Sequence, residues 1–351
     1  MTPSYSYFPL SEWLLRFKVA KMWRRRPRRR RNRRGLRFLN SWSNMKLVIS
    51  LDVEEEGLFS GRYLRESGVT NVAELRRLEF IPIEFGFPLT LLVSHRVAQD
   101  PAACEILARW RDLHGAEIGV HLHPWSTPPF ADLPGPEPVP AEHLPLPLLR
   151  GKFGHLIKQL QDSLGATPTS FRMGRFDFGP KVLGLLPEFD LKVDSSVVPL
   201  TLKGVGDYFL APPDPFPLNP AVLEVPLTMV PVLASLPRFL ARLARVFPGD
   251  LGHHLLDWFR YGGVAGIQPA LFPLASMRLA ASLHRRRGGQ VLTMFFHSSE
   301  LKPGASRLFP TEPAVAALVA KIHHFLSWMV KNGPVEGVTL SGLYQEYLKN
   351  S

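Results

Sequence analysis

A chain of 351 residues with 45% hydrophobic side chains can bury one large core or two small ones, and its pI near 10 first points to a nucleic-acid or membrane partner. The charge is unevenly spread: residues 1–45 carry 13 of the 42 lysines and arginines against one acid, Glu12, which leaves residues 46–351 with 29 basic and 29 acidic side chains. A body without net charge argues against nucleic acid as its partner, and a single cysteine, Cys104, excludes an intrachain disulfide framework.

The block Arg24-Arg25-Arg26-Pro27-Arg28-Arg29-Arg30-Arg31 repels itself, so residues 1–45 read as a basic disordered tail. Such a tail could bind nucleic-acid phosphates, or an anionic membrane surface together with Trp13, Leu14 and Phe17. The plainer expectations are a solvated appendage, or translation that begins at Met45 and leaves the tail unmade. No run of eighteen or more apolar residues appears, so no transmembrane segment is expected. The N-terminal charges follow the weak apolar stretch rather than precede it, unlike a secretory signal. The expected address is cytoplasmic, with peripheral membrane attachment as the alternative.

From Lys46 onward, short apolar runs alternate with helical patterns. Leu47–Leu51 reads as a buried strand, Leu89–Val93 as a second, and Glu117–Val120 as a third after an amphipathic helix over Ala102–Leu113. Cys104 falls in that helix, with no base beside it, and reads as a small buried hydrophobe. Residues 125–147 are Pro-rich and predict a long ordered loop. A helix over about Leu149–Leu164 leads to a strand at Thr169–Arg172 and a helix near Pro180–Leu186. Weaker strands follow at Leu191–Val193 and Leu223–Val225. Residues 230–289, with helical patterns at Arg238–Phe247 and Leu251–Tyr261, predict an insertion covering one side of the core. Strands at Val291–Phe296 and Gly337–Leu340 flank a helix over Glu312–Val330. The alternation indicates parallel βα units, hence a barrel or a doubly wound sheet over residues 46–351.

Ionisable residues gather just past the strand ends. Asp52 and Glu54 sit two apart after the first strand, and His121 and His123 repeat that spacing after the third, so each pair shares a face. Arg172 closes the fourth strand and His297 follows the strand ending at Phe296. In parallel α/β folds, active sites assemble at that edge. Two imidazoles and a carboxylate suffice to bind a divalent metal with one position left for water. A second carboxylate can take the water's proton, a histidine can protonate the leaving amine, and Arg172 can hold the base. The pairs His253-His254 and His323-His324 fall in helical patterns without matching carboxylates and read as structural or surface residues.

At these residues the sequence resembles the polysaccharide deacetylase, or NodB-homology, superfamily, and specifically a subgroup whose first motif is Asp-Val-Glu. The matching stretches are Ser50-Leu51-Asp52-Val53-Glu54, Glu117 to Trp125, Phe171-Arg172-Met173-Gly174-Arg175-Phe176, Asp194-Ser195-Ser196-Val197, and Phe296-His297-Ser298-Ser299-Glu300-Leu301. The resemblance implies a distorted (β/α)7-type barrel and removal of acetyl groups from N-acetylated sugars with a divalent metal, often zinc. It implies Asp52 as general base, His121 as first metal histidine, Arg172 as the arginine positioning the base, and His297 as general acid. Where the family places its metal aspartate this chain has Val53, and where it places its second histidine this chain has Trp125. Glu54 and His123 are therefore the expected substitutes. Asp194 is expected to orient His297 or Arg172.

The leading expectation is a metal-dependent hydrolase removing N-acetyl or O-acetyl groups from a saccharide. One alternative keeps the fold and metal but takes a small amide as substrate. Another is a non-catalytic binding protein with a degenerate site, attached through the tail to nucleic acid or membrane.

Overall fold

Met45–Val53 forms a strand (β1) in which all nine residues are buried, the signature of a strand covered on both faces. The computed structural model describes residues 45–58, 63–133, 138–203, 208–247 and 250–350, so the arginine-rich tail and the expectations placed on it lie outside the described residues. The remaining strands are β2 (Leu89–Val93), β3 (Glu117–Leu122), β4 (Ser170–Met173), β5 (Val193–Asp194), β6 (Phe216–Pro217), β7 (Leu223–Glu224), β8 (Met229–Pro231), β9 (Val264–Gly266), β10 (Val291–His297) and β11 (Val335–Val338). The main sheet runs β10-β1-β2-β3-β4-β5-β7-β6, and β11 lies beside the N-terminal part of β1. Its described pairings are parallel except β6 with β7. With its covering helices this sheet curls into a half-barrel, matching the distorted (β/α) barrel that the sequence resemblance implies.

Alternation along β1 divides the core. Leu47, Ile49, Leu51 and Val53 pack outward in the main cluster, among residues of the helices Pro101–His114, Leu146–Leu164 and Glu312–Lys331. Val48 faces inward with Leu92, Val193, Leu223, Val225 and Val291, and the C-terminal helix Leu340–Asn350 closes this cluster through Leu340 and Leu343. Lys46, at the same end of β1, pairs with Glu336 at 2.7 Å and Glu346 at 3.0 Å. Further along the same inner face come Ser50 and then Asp52. One strand face thus runs from an apolar floor to ionisable residues at its C-terminal end, because the sequence alternates as Lys46, Val48, Ser50, Asp52.

The helix Pro101–His114 starts where Asp100 accepts from the Ala103 amide at 2.8 Å, with Pro101 in its first turn. Cys104 is buried in it and directs its thiol at the Ala98 carbonyl, 3.4 Å away; burial raises its pKa, as befits an inert side chain. The last strand is displaced from its predicted position. It ends at Val338, and Leu340 begins a helix instead, whose first amides at Leu340 and Ser341 donate to Thr90 Oγ1 and Glu117 Oε2 at 3.0 Å each. Those caps come from neighbouring strands, so no local signal announces them. Glu312–Lys331 is long and apolar enough to cross a membrane, with a mean hydropathy of 1.3, but its stripe of Val315, Leu318, Ile322, Phe325, Leu326 and Met329 packs in the core.

Within residues 230–289, β8 and β9 pair antiparallel and bracket two helices, Leu236–Ala244 and Leu251–Gly262; a third helix, Leu274–Arg286, follows. Phe259, Leu256, Leu240 and Leu236 seat the first two helices on a separate apolar cluster that includes Phe176 and Phe295. This hairpin therefore shares a wall with the strand ends where the ionisable residues gather.

Candidate metal and catalytic site

Asp52, Glu54, His121, His123, Arg172 and His297, the six residues singled out from the sequence, converge at the C-terminal ends of β1, β3, β4 and β10. Glu54, His121 and His123 are all buried and offer ligand atoms lying within 4.8 Å of one another. The two Nε2 atoms are 2.9 Å apart, and each stands 3.3 Å from Glu54 Oε2. Donors around a tetrahedral ion with bonds of about 2.1 Å stand about 3.4 Å apart, so a divalent ion fits with little adjustment.

Hydrogen bonds on the far side of each ring fix which nitrogen faces this cluster. His121 Nδ1 lies 3.0 Å from the Arg172 carbonyl oxygen, which can only accept, so the proton sits on Nδ1 and the Nε2 lone pair points inward. His123 Nδ1 lies 3.0 Å from Glu55 Oε1; burial disfavours its charged form, but the Glu55 and Glu54 carboxylates raise its pKa to about 10, so a metal bound at Nε2 displaces a proton from that nitrogen. Glu55 is itself held by Ser126 Oγ and Ser94 Oγ, at 2.8 Å each. Carboxylate-backed imidazoles of this kind are common around protein-bound metals. Burial opposes ionisation of Glu55, but the His123 charge and hydrogen bond outweigh it and hold the carboxyl at about 2. For Glu54, burial likewise acts upward, and the charge of His297 with the bonds from His121 and His123 brings it well below the usual carboxylate range. Both acids are anions at neutral pH.

Glu55 was not among the residues expected at the site. Strand pairing ends at Val53, so the period-two alternation used to place Glu54 lapses there, and consecutive glutamates can both turn inward. The Glu54 backbone is instead set by Ser298 and Asn71: the Glu54 amide donates to Ser298 Oγ at 3.1 Å, and Asn71 Nδ2 donates to the Glu54 carbonyl at 3.0 Å. Trp125 stands where the resemblance places a second histidine. Its indole stacks on the His123 ring, centroids 4.3 Å apart at 22°, and so buttresses that imidazole. Gly174 is required on the other side, where a Cβ would overlap the His123 ring and the Leu122 carbonyl. If the cluster holds a divalent ion, replacing Glu55 by glutamine is expected to weaken its binding about 10- to 100-fold, measured against a competing chelator. An unchanged affinity would rule out a role for Glu55 in orienting His123.

Beside this cluster, Asp52 Oδ1 accepts from Arg172 Nη1 at 2.6 Å, and its Oδ2 lies 3.6 Å from His121 Nε2. Arg172 is fully buried, and its other donors reach the Ser195 carbonyl at 2.8 Å, Ser50 Oγ at 2.8 Å and Ser195 Oγ at 2.9 Å. Alternation along β5 therefore puts Ser195, rather than Asp194, on the Arg172 face. Asp194 instead pairs in register with Glu224 and accepts from Ser196 Oγ at 2.6 Å, which corrects its expected role in orienting Arg172 or His297. Burial and mutual proximity push both of these acids up.

His297 lies directly opposite Asp52 in the β1–β10 register, and its Nδ1 is 2.8 Å from Glu300 Oε1. Burial disfavours its charged form, but Glu54, Glu300 and Asp52 overcome that and raise its pKa to about 9. A carboxylate is thus braced on one side of the cluster and a protonated imidazole stands across from it. The residues left apart are those read as structural: His253 and His254 are exposed, and His323 pairs with Glu84 at 2.9 Å.

No protein-family model and no curated protein matches the chain. Among solved structures, it is similar to one assigned as a polysaccharide deacetylase from Mycobacterium smegmatis, at 16% identity and a TM-score of 0.53 over 88% of this chain and 91% of that one. It is also similar to one assigned as a glycoside hydrolase or deacetylase from Parabacteroides distasonis, at 12% identity and a TM-score of 0.57 over 89% and 73% of the two chains. A third, PuuE allantoinase, aligns at 14% identity with a TM-score of 0.50 over 86% and 89%. The buried parallel strands and their curl thus belong to a recognised architecture, and this chain has the NodB-like fold of the polysaccharide deacetylases.

Proposed function

We propose that the chain is a metal-dependent hydrolase of the Asp-Val-Glu subgroup that removes N-acetyl or O-acetyl groups from a saccharide. The observation that carries this reading is the juxtaposition of Glu54, His121 and His123 with the Arg172-held Asp52 and with His297, at one end of a deacetylase-like barrel. Glu54 Oε2, His121 Nε2 and His123 Nε2 would hold the ion, and two imidazoles with one carboxylate favour zinc. When bound, the ion supplies Lewis acidity toward the acyl carbonyl and the attacking water.

The chain's own residues supply the proton transfers. Asp52, held by the Arg172 guanidinium, takes the proton of the attacking water. His297 keeps a proton at neutral pH, and Glu300 engages its Nδ1, so it can give the Nε2 proton to the departing nitrogen or oxygen. Burial of Asp52, Glu54, His121, His123 and Arg172, with His297 half-buried beside them, limits bulk water and strengthens these interactions.

A second reading, hydrolysis of a small amide on the same residues, is favoured by the likeness to an allantoinase. Acetate release from N-acetylated chito-oligosaccharides, abolished by chelation and restored by zinc, is the expected outcome for the first reading. Turnover confined to small cyclic or linear amides would replace it with the second, and no turnover on either panel with metal bound would contradict both.

A further inference from the structure

Eight of the twenty large apolar side chains exposed among the described residues fall between Val232 and Tyr261, on the helical hairpin of the insertion. Exposed apolar residues are ordinarily scattered singly, and a concentration on one element marks a surface that something covers. Leu236, Leu240 and Ala241 of the first helix, Leu236–Ala244, pack on the same apolar cluster as Leu256 and Phe259 of the second, Leu251–Gly262. The two helices also touch each other, since a Cβ at Gly252 would overlap the Ala244 carbonyl. Their opposite faces therefore both look away from the core.

One outer face is apolar and aromatic. Leu251, Trp258 and Tyr261 recur at helical spacing along the second helix, and Trp258 and Tyr261 are 75% and 74% exposed. The other outer face is basic. Arg238, Arg242 and Arg245 recur at helical spacing along the first helix and its C-terminal end, with Phe239 beside them, and all four are exposed. The turn between the helices adds Val246, 79% exposed. The first helix contains no acid, and among the described residues these three arginines form no ion pair. Of the two acids in the hairpin, Asp257 lies 3.2 Å from Arg260 Nε and Asp250 lies 4.0 Å from His253 Nδ1.

We propose that this hairpin is a docking surface for an anionic lipid bilayer. Exposed apolar side chains suit the acyl boundary, Trp and Tyr suit the headgroup level, and unpaired arginines suit anionic headgroups. A second copy of the chain fits poorly, because a two-fold contact sets Arg238, Arg242 and Arg245 against their own images. The segment 1–45 fits no better, with 13 basic side chains against one acid. An anionic bilayer satisfies the apolar and the basic face together. The cluster beneath the hairpin includes Phe176 and Phe295, whose ring centroids lie 5.9 and 4.9 Å from the Arg172 guanidinium. One apolar layer thus separates the docked hairpin from the candidate site.

The test reads where the hairpin sits when the full chain meets vesicles. A polarity-sensitive fluorophore is attached through Val246→Cys and, as a control, through Leu113→Cys, an exposed apolar position on the helix Pro101–His114. Cys104 is buried and leaves the label to the new thiol. On vesicles of phosphatidylglycerol and phosphatidylcholine, the probe at position 246 is expected to gain emission at least about twofold and to be quenched by nitroxide-bearing lipid. The probe at position 113 is expected to do neither. Trp258→Ser, and Arg238→Glu combined with Arg242→Glu, are each expected to cut the gain at least about fivefold, with matching melting curves establishing that the variants fold. A chain that sediments with the vesicles while the probe at position 246 stays in water, as attachment through residues 1–45 alone gives, overturns the proposal. So does the absence of any gain with lipid, or an equal gain on phosphatidylcholine alone. A gain that appears without lipid as chain concentration rises also overturns it and assigns the hairpin to a second copy.

Discussion

Asp52→Asn is expected to lower kcat on an N-acetylated saccharide by about 10²- to 10⁴-fold while leaving bound metal in place. The carboxylate is the one acid at the site held by Arg172 rather than by the two histidines, with Nη1 at 2.6 Å from Oδ1 and the nearest imidazole nitrogen 3.6 Å from Oδ2. An amide in that position still accepts from Arg172 through its oxygen, so the fold is little disturbed, but it cannot take a proton from water. Acetate release by the variant within a few-fold of the parent, at equal metal content, would remove Asp52 from the role of base.

Arg172→Leu is expected to have the largest effect on stability, a loss of about 3–5 kcal/mol in urea unfolding. The guanidinium is fully buried and spends its donors on Asp52, Ser50 and Ser195. Leucine of similar bulk leaves the buried Asp52 charge without its partner and strips the Ser195 carbonyl of its donor. His121, at 3.6 Å, offers Asp52 only partial compensation. A loss below about 1 kcal/mol would mean that the buried Asp52 and Ser195 groups do not depend on Arg172.

Much of this site was legible in the sequence because parallel strands buried on both faces read as unbroken apolar runs, and an ionisable residue directly after such a run stands out. Asp52 after Leu47–Leu51, His121 after Ile118–Val120 and His297 after Val291–Phe296 are visible for that reason. Glu54 and His123 are reached by extending the two-residue repeat one residue past the ends of β1 and β3; their ligand atoms do meet in the structure, with contacts from Ser298 and Asn71 setting the Glu54 backbone. What escaped was whatever depends on a partner distant in sequence or on broken alternation. Glu55 follows the end of β1, where the repeat no longer applies. Glu300 matters only because the turn after β10 folds it back onto His297 Nδ1. Ser195 was masked by its acidic neighbour Asp194, which alternation turns toward Glu224 instead. The helix at Leu340 begins on caps supplied by Thr90 and Glu117, so the apolar run Val338-Thr339-Leu340 read as strand.

The most direct test of the central claim is the metal content of the purified chain after exposure to zinc, compared with His121→Ala and His123→Ala. The arrangement of two inward Nε2 atoms and Glu54 Oε2 calls for about one divalent ion per chain, lost in both variants. A chain that takes up no ion, or variants that keep it, would contradict a metal centre at Glu54, His121 and His123.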